Sequence, residues 1–423
     1  MVSPRLVFTS RLVAVAVVCL VCSVTGWASG PVFQVIHTFT TGGDGDYPYA
    51  SLISRSGNLY GTTLNGGTFG NGCVFELVPP TSSGAGWTES IVYSFRSGSS
   101  DGQGPEAALL FDKSGNLYGS TSSGGASGLG AVFELSPPTG SGAWTETIIY
   151  SFAQVGKNNT GLSPTGLLWG PGGVLYGATR FGGSEDYGNV YEIHPAAAGS
   201  AWLDKNLYFF TGSGGGQGPD YTGGLTSDAA GNLYGTTSNG GPYIGGQVFE
   251  MSPPAAPGSG WTETAIYNFG QFQGDSQVPE GTLVFDTSGN LYGTAVSDGQ
   301  YGYGTVFALT PPASGVGPWT ETILYNFKGG SDGAVPQSGV VFDEAGNLYG
   351  ATFDGGSANY GTVFELSPSG DGTWNESVLH TFTGKSDGGY PFAGLLIDHL
   401  GNLYGAASSG GNYGLGTVFR IAP

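Results

Sequence analysis

Gly57-Asn58-Leu59-Tyr60-Gly61 returns at Gly115, Gly231, Gly289, Gly346 and Gly401, and the variant Gly173-Val174-Leu175-Tyr176-Gly177 fills the one gap. Successive starts lie 58, 58, 58, 58, 57 and 55 residues apart, so the chain consists of seven copies of one unit. Each copy carries four short runs that read as strands, bounded by Gly, Pro, Asp and Ser clusters. In the second copy, strands A to D run from Ala108 to Asp112, Asn116 to Thr121, Ala131 to Leu135 and Trp144 to Phe152. Between A and B, the Asp112 side chain can accept turn amides and Gly115 can take positive φ, which predicts a tight hairpin. The B to C and D to A spacers are longer and Gly-rich. No window shows helical apolar spacing, so the chain reads as all-β.

A four-stranded antiparallel unit cannot bury both its faces alone, and radial stacking of such units gives a β-propeller, here with seven blades. The ends predict how the ring closes. Phe33-Gln34-Val35-Ile36-His37-Thr38-Phe39 matches the D strand Glu376-Ser377-Val378-Leu379-His380-Thr381-Phe382 in register, and the chain stops after the last C strand. Seven complete sets therefore require the N-terminal strand to pair in the last blade. Seven positions before each B-strand glycine stand Ala50, Ala108, Gly166, Gly224, Thr282, Gly339 and Gly394, small as strands converging on an axis must be. Trp87, Trp144, Trp202, Trp261, Trp319 and Trp374 mark the widening rim.

Among 423 residues, 81 Gly and 24 Pro approach low-complexity levels, but 39% hydrophobic and 13% aromatic residues supply a core. A net charge of −20 disfavours nucleic acid and anionic membrane as partners. Arg5 and Arg11 precede an apolar run from Leu12 to about Val24, with Gly26 and Ala28 at positions −3 and −1 of a cut after Ala28. This is the pattern of a secretory signal, giving a signal peptide over 1–28 and one propeller domain over 29–423. The run is shorter than the roughly 20 residues a bilayer needs, so no membrane span is expected after removal. Cys19 and Cys22 leave with the signal, and Cys73 alone allows neither an intramolecular disulfide nor a cysteine metal cluster. An exported monomer, extracellular or at the cell surface, is expected.

Gly57 to Thr63 (GNLYGTT), Gly361 to Leu366 (GTVFEL), Trp319 to Phe327 (WTETILYNF) and Gly329 to Gly333 (GGSDG) together resemble the GloVer tandem repeat of choice-of-anchor exported bacterial proteins. The resemblance covers essentially all of residues 31–423. It implies an exported repeat protein of unassigned biochemical role, often followed by a C-terminal surface anchor. The chain ends at Ile421-Ala422-Pro423 without a hydrophobic tail or basic stop, so that anchor is not expected here.

Residues present in nearly every copy are explained by what every blade needs. These include the Glu at 76, 134, 192, 250 and 365 and the Glu at 89, 146, 263, 321 and 376; a glycosidase needs one carboxylate pair, not five. His37 and His380 occupy the strand D position held elsewhere by Tyr93, Tyr150, Tyr267 and Tyr325 and read as rim packing, and no catalytic grouping or metal-spaced motif is visible. Function is expected where copies differ. The B to C loops contribute Phe69, Tyr187, Tyr243, Tyr301, Tyr303, Tyr360 and Tyr413, and the D to A loops Asp44, Asp46, Asp101, Asp275, Asp332 and Asp387, all predicted on one face. Aromatic faces beside carboxylates suit sugar rings; the alternative is that the rings pin Gly-rich loops. Units three and four deviate most, at Lys157, Arg180, Glu185 and Asp186. The leading expectation is a non-catalytic module binding an extracellular glycan or a surface protein, with no cofactor except calcium at the acidic loops. Its alternatives are a lyase or lactonase-like propeller enzyme and a purely structural repeat.

Overall fold

The computed structural model describes residues 30–423 except 42, 83, 141, 156–157, 196–201, 213–215, 217, 220–222, 257 and 316. The signal segment, with Cys19 and Cys22, and Lys157 lie outside the described residues. Seven antiparallel blades follow one another in the strand order A-B-C-D. The first is built from Ile53–Arg55, Asn58–Thr63, Cys73–Val78 and Thr88–Ser94. The third has longer inner strands, Asn158–Trp169 and Leu175–Gly183, and an added short strand, Gln154–Val155. Helix among the described residues is confined to the 3-10 turn Pro171–Gly173.

Every letter of the repeated pentapeptide has a local cause. Its first glycine takes φ between +80° and +96° in the A to B hairpin, a conformation a Cβ would strain. In five copies the asparagine amide and side chain donate to the hairpin aspartate, as Asn116 does to Asp112 at 2.8 and 2.9 Å, and in the first copy Asn58 Nδ2 donates to Glu76 Oε1 at 2.6 Å. The leucine is buried in each blade. The tyrosine hydroxyls of Tyr234, Tyr292, Tyr349 and Tyr404 donate to their hairpin aspartates at 3.1 Å. The last glycine lies under the strand C phenylalanine: a Cβ on Gly61 would stand 2.5 Å from Phe75 Cζ and 2.8 Å from Leu52 Cδ2.

The predicted closure is present. Val32–Thr38 pairs with Thr417–Ala422 as the outer strand of the seventh blade, from Val32 opposite Ala422 to Thr38 opposite Thr417. The pairing skips Ile36, and the other six D strands skip the equivalent residue, from Val92 to Leu379. The closing strand thus reproduces a bulge that turns one extra apolar side chain into the wedge between blades. The phenylalanine ending each D strand then meets the strand C ring of the next blade at 5.0 to 5.3 Å, and Phe39 with Phe75 completes this circle of seven. Aromatic pairs at this separation contribute beyond their buried area.

Candidate functional site

Three zones can hold chemistry: the axis, the wedges between blades, and the loop face. The axial cavity encloses about 140 Å³ and is lined by Ala50, Ala108, Gly166, Gly224, Thr282, Gly339 and Gly394, the small residues expected there. Ser51 joins them because the first hairpin is one residue shorter; a Cβ on Gly394 would stand 2.8 Å from Ser51 Oγ. Glu106 is the one charged group among the described lining residues. A space this small is well below the few hundred Å³ of an ordinary ligand pocket.

In the wedges, the loop aspartates do not face outward as ligands for a sugar. Asp101, Asp275 and Asp332 are buried, and each accepts a backbone amide at the start of its own loop, from Arg96 at 2.9 Å, Gln271 at 2.6 Å and Lys328 at 3.0 Å. Each also accepts the strand D phenol, from Tyr93 at 3.0 Å, Tyr267 at 3.3 Å and Tyr325 at 2.9 Å. This corrects the sequence expectation: their carboxylates are spent on turn amides, as short acidic side chains commonly are. Across the junction, the next blade presents its strand D glutamate to the same aspartate. Burial, then Asp101, pushes Glu146 up to about 8; burial, then Asp332, pushes Glu376 up to about 7. Burial and the hydrogen-bonded Asp275 raise Glu321. Each is one of a pair of carboxyl groups that cannot both ionise cheaply at close range.

His37 and His380 stand in this layer, beside carboxylates, and not simply in rim packing. His37 Nε2 lies 3.7 Å from Asp44 Oδ2 and 3.8 Å from Glu89 Oε1. His380 Nε2 lies 3.3 Å from Asp387 Oδ2, and Phe33 stacks on its ring at 3.5 Å where other copies have glutamate. Sequence reading missed this grouping because its members come from three separate elements; the available signal was a histidine at a tyrosine position.

The loop face gathers both predicted loop sets. Backbone bonds join each D to A loop to the preceding B to C loop, as Val335 N donates to Tyr303 O at 2.9 Å and Tyr390 N to Tyr360 O at 2.8 Å. The aromatic residues divide by offset from the glycine that ends each B to C loop. One residue before it, Tyr187, Tyr303 and Tyr360 lie against Gly212, Gly329 and Gly384 of the returning loop, where any added Cβ would collide with the ring. These three pin loops, Tyr303 with 46% of its surface still exposed. Three residues before it, Phe69, Tyr243, Tyr301 and Tyr413 form loop tips that are 48%, 51%, 46% and 58% exposed. Phe69 carries the Arg96 guanidinium over its ring at 5.1 Å. In unit three that tip is the exposed Glu185, while Asp186 accepts Gly182 N at 2.9 Å and Arg180 lies over Phe181 at 5.0 Å.

Two of the four tips, Tyr243 and Tyr301, stand on the adjacent blades four and five. Tyr243, Ile244 and Phe272 are exposed there, Ile244 at 75% and with φ +65°, a conformation unusual for a β-branched residue. Beside them a groove of about 500 Å³ is lined by Tyr301, Gln273, Gln300, Asp298 and Asn326. Gln273 and Gln300 are exposed, so two carboxamides and an open aromatic ring line one groove. Grooves under Trp202, Trp87 and Trp319 on the opposite side repeat at three junctions and rest on the same tryptophan-over-tyrosine contact, as Trp202 with Tyr118 at 6.3 Å, so they belong to the architecture.

The sequence matches the Gloeobacter/Verrucomicrobia repeat over residues 27–219 and 279–423. No curated protein matches it. Among solved structures it is similar to PorZ, an essential surface component of the type-IX secretion system of Porphyromonas gingivalis, with 14% identity over 91% of this chain and 48% of that one, at a TM-score of 0.52. It is also similar to an ancestral GH74 enzyme, with 11% identity over 91% of this chain and 51% of that one, at a TM-score of 0.53. The chain therefore spans about half the length of both, and likeness at these identities shows the propeller fold alone. No helix among the described residues is long and apolar enough to cross a membrane.

Proposed function

The chain belongs to the Gloeobacter/Verrucomicrobia repeat family, and we propose that it is an exported binding module holding a neutral polysaccharide on its loop face, at blades four and five. The observation that carries this reading is the groove that Tyr301, Gln273 and Gln300 line together. A sugar ring offers an apolar CH face to an aromatic side chain and hydroxyls to amides that both donate and accept. Tyr243, Ile244 and Phe272 extend the apolar surface on the blade-four side. Asp298 is the one carboxylate among the described lining residues of this groove, and a neutral sugar meets it through hydrogen bonds instead of ion pairing, so affinity should vary little with salt.

The test is retention on a glycan array and calorimetric titration with the best oligosaccharide. Y301A and the double variant Q273A/Q300A should each weaken binding by roughly tenfold or more, on the scale of one lost stacking or bidentate contact. Unchanged retention in both variants would remove this groove from consideration.

A further inference from the structure

At the junction where the ring closes, as at the one before it, a histidine stands at the strand D position that holds tyrosine in other copies. Where Tyr93, Tyr267 and Tyr325 donate a phenol proton to the loop aspartate, the closing strand carries His37. Its Nε2 stands 3.7 Å from Asp44 Oδ2 and 3.8 Å from Glu89 Oε1, too far for hydrogen bonds. His37 Nε2 and Glu89 Oε1 are both buried without a hydrogen-bond partner, as are His380 Nε2 and Oε1 of Glu146, Glu263, Glu321 and Glu376, but among the described residues only here do such an imidazole and such a glutamate stand together with a loop aspartate. The three ligand atoms lie within 4.8 Å of one another. A point equidistant from the corners of such a triangle is about 2.0 to 2.4 Å from each, the range of bonds from a divalent metal to imidazole and carboxylate.

We propose that His37, Asp44 and Glu89 bind a divalent first-row transition ion of the Zn²⁺ type, which fastens the N-terminal strand to the first blade. One imidazole with two carboxylates suits such an ion, whereas calcium prefers a shell of oxygens alone. The Asp44 carboxylate is held in direction by its own loop, where Oδ2 accepts Thr40 N at 2.8 Å and Thr40 Oγ1 at 3.1 Å, and Oδ1 accepts Gly45 N at 2.8 Å. Such outer contacts orient a ligand and are part of a metal site. The neighbouring junction supplies an internal control. There His380 and Asp387 are present, but Phe33 replaces the glutamate and occupies the imidazole face, leaving two ligands. The site joins elements distant in sequence, so the ion would hold the folded ring and not the unfolded chain.

Chelator-treated protein titrated calorimetrically with zinc chloride should show one saturable site, and saturating zinc should raise the melting temperature by about 2 to 5 °C. H37Y installs the phenol that Tyr93, Tyr267 and Tyr325 present to their loop aspartates, so the fold is kept; zinc affinity should fall at least about 100-fold, since a direct ligand matters more than an outer partner. H380Y should leave stoichiometry and affinity unchanged. Weak, non-saturating heat from the parent protein, undiminished binding in H37Y, or loss of binding in H380Y would each overturn the assignment. This inference is independent of the carbohydrate reading, because both its readouts are made without any sugar.

Discussion

Tyr360 and Tyr413 stand in the B to C loops of adjacent blades, two residues apart in register. Tyr360 lies on Gly384 of the returning loop and packs on Tyr390 at 5.1 Å, whereas Tyr413 is 58% exposed at the loop tip. An aromatic residue one place before the terminal glycine braces two loops. An aromatic residue three places before it is not needed by the blade. The same contrast separates the wedge layer, where Asp101, Asp275 and Asp332 are tied to the turns of their own loops, from the loop face, where Gln273, Gln300 and Tyr301 are open. Each contrast below can be made to fail.

The largest effect should come from the seam. Deleting residues 30–40 removes the outer strand of the last blade together with Ile36 and Phe39, both buried, and leaves the 417–422 strand with an unpaired edge. Two core side chains at roughly 3 to 5 kcal/mol each imply a loss on the order of 10 °C in melting temperature, with aggregation. Thermal scans that superimpose for the truncated and parent proteins would contradict closure through this strand.

Next in size are the pins. Y360A should cost about 1 to 3 kcal/mol in a chemical denaturation experiment, because it removes a half-buried ring from a brace between two loops. A stability equal to that of the parent would erase the distinction between braces and tips.

The wedge carboxyls set a smaller, pH-dependent effect. Glu146 and Glu376 hold their protons up to about 8 and about 7 in the folded state, against a starting value of 4.5, and Glu321 is raised as well. Between those limits the folded state binds more protons than the unfolded state, so stability falls as pH rises from about 5 to 8. Melting temperature should be a few degrees lower at pH 8.5 than at pH 5.5, and E146Q/E321Q/E376Q should flatten much of that decline. A triple variant with the parent's full pH slope would show that the protons reside elsewhere.

The parts legible in the sequence are those whose causes are local. Asp112, Gly115 and Asn116 form their hairpin with each other, and the closing strand announced itself because Phe33 to Phe39 repeats the D-strand register residue for residue. The site was legible only in part. Whether Tyr303 or Tyr301 is free depends on where a second loop returns, nearly thirty residues later at Gly329, and nothing in the B to C loop alone encodes that. The loop aspartates were visible as residues but not as turn acceptors. His37, Asp44 and Glu89 meet only because a ring of seven blades brings the first strand beside the first blade.

The smallest expected effect concerns the tips, and it carries the most functional weight. F69A, Y243A, Y301A and Y413A should each change unfolding free energy by no more than about 0.5 kcal/mol, as substitutions at exposed positions without partners generally do. Phe69 is the exception to watch, since the Arg96 guanidinium over its ring can add about 0.5 to 1 kcal/mol. Side chains that contribute so little to stability yet place four aromatic rings in solvent need another reason to be there, and large exposed apolar groups gathered on one face commonly mark a contact surface. The informative measurement is therefore a pair for each variant, denaturation midpoint and glycan retention. Y243A and Y301A should lose retention at constant midpoint, F69A and Y413A, on blades one and seven, should keep both, and pins should lose midpoint first. If Y243A and Y301A shift the midpoint as far as Y360A does, the tips are braces too, and the loop face loses its claim to a ligand.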